Sequence, residues 1–206
     1  MLITICRLYD SYSGAHRVVF MLESAGLSPS ETSVISNNSD TWYSAKTTNV
    51  VPLRKDGASR ESDGKIEGAT IGAAIGATAA TAASLVTMLT IPGVGAVVGA
   101  GWLTAVLGSM AIGGVAGGLL GALTNAGIRE EDAQVFVEGV RRGGTLVAAR
   151  VPQAELPRIE TMMNQSAVNL EERRDLYRKS GWQSFDPNAV PYTADQVRSE
   201  RALHTR

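Results

Sequence analysis

GATIGAAIGATAATAASLVTMLTIPGVGAVVGAGWLTAVLGSMAIGGVAGGLLGALTNAGI, Gly68 to Ile128, is a run of 61 residues without Asp, Glu, Lys, Arg or His. Solvent-facing surface of that length ordinarily carries charge, so the run must be covered by lipid or by protein. It holds 14 of the chain's 22 glycines, and their placement is ordered. Gly68, Gly72, Gly76, Ala80 and Ser84 recur at every fourth position before the Pro92-Gly93 break. Ala105, Ser109, Gly113, Gly117 and Gly121 do the same after it. Residues four apart share a helix face, and rows of small side chains let helix backbones approach closely. The pattern predicts a glycine-zipper helical hairpin over 66–127, turning at Pro92, Gly93 and Gly95. Each arm is long enough to cross a bilayer, for which ~20 residues suffice.

The flanking sequence is polar and reads as one small domain divided in two by this insert. Leu2–Leu8 is a β-branched and aliphatic run that predicts a strand. Asp10 and Ser11 are caps for a helix whose apolar face is Ala15, Val18, Val19, Leu22 and Ala25, stopped at Gly26. Thr32–Ser36 predicts a second strand. Residues 37–65 are turn-rich and of mixed charge, a loop or linker.

After the insert, Ile128–Arg142 predicts a helix with Glu130, Glu131 and Asp132 in its first turn and Arg141-Arg142 in its last, matching the helix dipole. Thr145–Val151 predicts a strand, Ala154–Asn164 a helix, and Ala167–Leu170 a last short strand. Two β-α-β halves, 1–36 and 128–170, predict an α+β fold, a ferredoxin-like split β-α-β sandwich with helices on one face of four antiparallel strands. The tail, 171–206, is charged at first and then carries Trp182, Phe185 and Tyr192. These aromatics suit inter-subunit anchors or packing on their own domain.

Composition narrows the chemistry. A net charge of -1 gives no basic field for nucleic acid. Cys6 is the sole cysteine, so an intrachain disulfide or a cysteine-rich zinc site is excluded. The N-terminus lacks the basic and apolar regions of a signal peptide. No glycine-rich stretch reads as a phosphate loop, because none ends in Gly-Lys-Ser/Thr. His16, His204 and the acids at 130–132 have no metal-ligand spacing. The sequence therefore assigns no catalytic residue, metal or cofactor, and no small-molecule substrate.

GATIGAAIGATAA, IPGVGAVVGAGWL, GGVAGGLLGALTNAGIREEDAQVFVEGVRRGGTLVAARV and VNLEERRDLYRKSGWQSFDPNAVPY together resemble the bacterial general-stress or low-temperature-induced protein family, in which a glycine zipper interrupts a small α/β domain. The resemblance runs from about Gly64 onward and is most specific over Gly113–Val151. It implies stress-linked expression and membrane association, with no established activity. The expectation is a non-enzymatic, self-associating stress-response protein, its hairpin in the cytoplasmic membrane and its polar domain in the cytoplasm. Two alternatives stand beside it. One is a water-soluble homo-oligomeric scaffold or shell with hairpins buried between subunits; the other is a small-ligand sensor or enzyme on the α/β domain.

Overall fold

The computed structural model describes residues 1–43, 50–51, 86–113 and 118–204. Among these described residues the fold is mixed α+β, with five antiparallel strands and seven helices. The strands are β1 (Leu2–Tyr9), β2 (Thr32–Asn37), β4 (Thr87–Ile91), β5 (Gly95–Gly101) and β6 (Thr145–Pro152). A two-residue β3 (Val50–Val51) runs parallel to β4 at the edge, giving the order β1-β6-β2-β5-β4-β3. β6 lies antiparallel between β1 and β2, with Ile5 opposite Ala149 and Val34 opposite Val147.

Helices cover both faces, unlike the expected one-sided sandwich. On one face α1 (Tyr12–Ser24) and α5 (Leu156–Met163) close a core of Ile5, Tyr9, Ala15, Val18, Leu22, Val147, Val151, Ile159 and Met163. On the other, α2 (Trp102–Gly113), α3 (Gly118–Asn125) and α4 (Glu130–Arg141) bury Leu103, Leu107, Leu119, Leu123, Phe136 and Val140 against Leu8, Ile35, Leu89, Val97 and Leu146. The strands alternate as a pleat with two dry faces must: Ile5 and Tyr9 point one way, Cys6 and Leu8 the other.

The helical hairpin is corrected over its described part. Pro92 and Gly93 turn a β-hairpin, in which Leu89 faces Val97 and Ile91 faces Gly95. The β-branched residues Val97 and Val98 favour strand, and β5 gains its second neighbour in β2. Gly93, expected in the turn of a helical hairpin, and Gly101 both serve the sheet instead. Gly93 sits at φ +74° in the turn, where a Cβ would lie 2.7 Å from the Asp186 carbonyl. Gly101 sits at φ +91° at the passage from β5 into α2, with a Cβ position 2.1 Å from the Thr32 carbonyl.

The expected strand at Ala167–Leu170 is also replaced. Val168 donates one backbone hydrogen bond to the Leu8 carbonyl at 2.8 Å. The Asn169 side chain then accepts from the Glu171 and Glu172 amides and starts α6 (Leu170–Lys179). A strong N-cap diverts the chain from the sheet edge before a strand can extend. The tail ends in α7 (Ala194–His204). Among the described residues, no helix is long and apolar enough to cross a membrane.

Candidate functional site

A dense polar cluster lies where the C-terminal end of α4 meets α6 and α7. Buried Val137 and Val140 hold α4 on the sheet, and this brings Glu138 inside as well, with no solvent exposure. A carboxylate cannot be buried without partners. Glu138 finds them one turn on: Arg142 Nε donates to it at 2.7 Å, and Arg141 Nη1 lies 3.3 Å from each of its oxygens. Arg142 also reaches Ser180 Oγ at 3.2 Å and Glu200 at 3.4 Å, and lies 4.3 Å over the Tyr177 ring. Burial works against its charge, but the Glu138 hydrogen bond and carboxylate outweigh that and raise its pKa.

Two further arginines tie the tail to the first half of the chain. Arg173, itself buried, donates to Asp10 at 2.8 Å. Arg201 donates to Asp40 at 2.5 Å and to the carbonyls of Asn37 and Gly143, each at 2.8 Å. Burial lowers the Arg201 pKa, with Asp40 opposing. Burial likewise pushes the Tyr177 phenol up to about 12. His204, beside Glu200, is pushed below its usual value by burial and then by Arg173. The arrangement is a clamp: guanidinium planes and carboxylates pair with one another and fasten α6 and α7 to the domain.

A shallow polar cleft of about 370 Å³ opens beside the clamp, lined by Glu130, Glu131, Gln134, Arg174, Arg178 and Trp182. Arg174 is held by Asp132 at 2.6 Å, so one of the two guanidiniums facing the cleft is already paired. Among the described residues no group of His, Cys, Asp or Glu is arranged to hold a metal ion. Cys6 is buried and its thiol is pushed up to about 12 by that burial, as suits a core residue rather than a nucleophile.

The positions singled out from sequence are dispersed. Gly68, Gly72, Gly76, Ala80, Ser84 and Gly117 lie outside the described residues. Ala105 is exposed on α2, whose buried side is Leu103, Thr104 and Leu107, so this helix presents large residues to its own core. Ser109 and Gly113 fall in the last part of α2, and Gly121 is half-buried in α3.

The three tail aromatics are engaged within the chain. Phe185 packs into the core beside Gly93, Trp182 meets Tyr177 edge-on at 5.9 Å, and Tyr192 lies 4.6 Å from the Arg141 guanidinium. Sequence reasoning missed the clamp because Arg141-Arg142 reads equally well as dipole-matched surface charge. The available signal was Glu138, three and four residues before two arginines and flanked by Val137 and Val140. No family model, no curated protein and no solved structure matches the chain.

Proposed function

We propose that this is a non-enzymatic, self-associating protein, a small α/β scaffold whose copies join through Gly68–Ser84. The observation that carries this reading is the division of the uncharged run. Residues 86–113 and 118–128 supply two strands and two core helices, which accounts for their lack of charge. That account does not extend to Gly68–Leu85, where the small residues at every fourth position still require a covering partner. The clamp supports a structural use of the polar groups, since its arginines and carboxylates are matched to each other. Stress-linked expression, implied by the family resemblance, belongs to the same proposal. So does a ferredoxin-like origin of the fold: β1-α1-β2 with β6 between the strands, followed by α5 on the same face, supports it, with β4, β5 and α2–α4 as the insertion.

A bilayer is the second reading, favoured by the absence of charge, and the topology restricts its form. β2 and β5 pair in one sheet, so the chain must leave and re-enter the domain on one side of a membrane. The 19 uncharged residues from Gly68 to Val86 suffice for one crossing, whereas a return path needs about 40. Association along the membrane surface fits these constraints; a spanning hairpin does not.

Sedimentation velocity of the full chain, in plain buffer and in mild detergent, tests the proposal. An oligomer in plain buffer that Gly72→Leu or Gly76→Leu reduces toward the monomer supports it. A monomer in plain buffer that also ignores lipid vesicles overturns it. A monomer that floats with vesicles selects the second reading.

A further inference from the structure

β1 ends the sheet, and part of its outer edge is open. The Gln153 amide donates to the Met1 carbonyl on the β6 side, whereas the Val168 amide reaches the Leu8 carbonyl from the opposite side. In an antiparallel pair every second residue exchanges both of its bonds with the partner strand. Odd-numbered residues of β1 therefore bond β6, and Leu2, Thr4, Cys6 and Leu8 turn their N–H and C=O groups outward. One end of that edge is closed. Arg7 Nη1 donates to the Cys6 carbonyl at 2.8 Å, the same guanidinium is held by Glu160 and Asn164 at 2.6 Å each, and Cys6 is 2% exposed. The other end is not. The amides and carbonyls of Leu2 and Thr4 have no partner among the described residues. Leu2 is 53% exposed, and Ile3 and Thr4 are half-buried. The chain comes back toward this edge after α5 but gives it a single bond, at Leu8, before Asn169 turns it into α6.

We propose that this open edge pairs with the same edge of a second copy, β1 against β1 in antiparallel sense, about a two-fold axis normal to the sheet between the two Ile3 residues. The inference rests on the self-association reading and names a second seam for it. Backbone geometry selects the register. With Ile3 opposite Ile3, Leu2 of each copy faces Thr4 of the other, and four backbone hydrogen bonds form from groups that are all free. Moving the axis to Thr4 would need the Cys6 carbonyl, which Arg7 already holds. An axis normal to the sheet keeps each face on its own side. Ile3 therefore meets Ile3 beside the α1–α5 core, and Leu2 meets Thr4 on the other face. Helix α5 does not obstruct the pairing. Pro152 lies opposite Leu2, Glu160 reaches Arg7 and Met163 reaches Tyr9, so α5 runs along β1 away from the axis and its symmetry mate runs away in the opposite direction. The occupant follows from what the edge lacks. Leu2–Thr4 has neither charge nor proline, the devices that keep a strand edge single. A closed two-fold pair leaves no open edge at the junction, whereas an added foreign strand presents a new one. Three paired residues per copy bury far less than the ~800 Å² per partner of a standard interface. The contact therefore adds to the glycine seam rather than replacing it.

Amide hydrogen exchange of the full wild-type chain, followed by NMR, reads the seam directly. The Ile3 and Ile5 amides, bonded to β6, are protected at every concentration. The Thr4 amide is expected to exchange freely in dilute monomer and to slow by about tenfold or more in the oligomer. Thr4→Pro deletes an outward N–H that the fold does not use, on an edge strand where proline is tolerated. It is expected to weaken self-association by about thirtyfold, two of the four bonds being lost. Ile3→Cys in a Cys6→Ala chain puts two thiols across a non-hydrogen-bonded pair, with Cα atoms about 4.5 Å apart, and gives a covalent dimer on mild oxidation. An oligomer whose Thr4 amide exchanges as fast as in the monomer overturns the edge contact and leaves the glycine seam standing, whether or not Thr4→Pro folds. An oligomer that ignores Gly72→Leu and Gly76→Leu but is dissolved by Thr4→Pro overturns the glycine seam and supports the edge. A wild-type chain that stays monomeric overturns both. A protected Thr4 amide in a chain that sediments as a monomer also overturns the edge contact, because the edge is then filled within one chain. Protection of Thr4 in an oligomer whose Ile3→Cys variant fails to cross-link overturns the two-fold register.

Discussion

α4 and α1 lie on opposite faces of the same sheet, and they differ in how completely their side chains are used. α4 buries Val137 and Val140 inward, and its charged last turn is taken up by the tail, down to a carboxylate with no exposure. α1 buries an equally regular inner row and leaves Arg17, Phe20 and Glu23 unengaged among the described residues. The difference separates what the chain completes within itself from what it leaves for another molecule. Polar residues at the clamp hold the fold; the exposed aromatic on α1 contributes little to it.

The contrast is broken most strongly at Glu138. Glu138→Ala leaves Arg141 and Arg142 half-buried without their shared partner. Removing one member of a buried pair costs about 3–5 kcal/mol, so the urea midpoint should fall sharply. A change below about 1 kcal/mol would show that the clamp is only surface charge.

Next comes alkaline pH. The folded-state pKa of Tyr177 is raised from 10.0 to about 12, so its share of stability is fully present below pH 10. That share is lost as the phenol of the unfolded chain ionises first and the pH climbs toward 12. The two-unit shift corresponds to about 2–3 kcal/mol at the top of that window. Tyr177→Phe should flatten the decline between pH 10 and 12 but leave neutral stability nearly unchanged. An identical slope in the variant would mean that the phenol is wet.

Smaller again is Arg201→Ala, which removes the bonds to Asp40, Asn37 and Gly143. A cost of about 1–3 kcal/mol is expected, read as earlier tryptic release of α7. Proteolysis unchanged from wild type would detach Arg201 from the clamp.

How far the sequence could be read follows the same division. Periodicity exposed β1, α1, β2, α4 and β6, because each alternates or repeats against a core that is nearly all apolar. It failed over Thr87–Gly101, where an uncharged stretch lying between two rows of small residues read as the joint of a helical hairpin. Gly101 is there for the Thr32 carbonyl and Gly93 for the chain at Asp186, contacts supplied by residues far away in sequence. The clamp was illegible for a related reason. An Arg-Arg pair at a helix end is satisfied equally by water and by Glu200 and Ser180, and nothing local distinguishes the two. Val168 and Leu170 carried a strand-like pattern, but the single residue Asn169 redirected it through its cap.

The smallest effect is the one that sharpens the comparison most. Phe20→Ser removes the most exposed large apolar side chain of α1 without touching Ala15, Val18 or Leu22. Surface substitutions of this kind usually stay within about 0.5 kcal/mol. A residue that supported the fold would instead follow the large-to-small cost of about 3 kcal/mol or more seen for buried aromatics. Urea denaturation at a concentration dilute enough to hold the chain as monomer should therefore give coincident curves for the variant and the wild type. Curves that separate by more than about 1 kcal/mol would place Phe20 inside the fold and remove the distinction between the two helices. Curves that coincide when dilute and diverge as concentration rises would show stability drawn from a second copy, because a partner that binds only the folded state stabilises it by mass action.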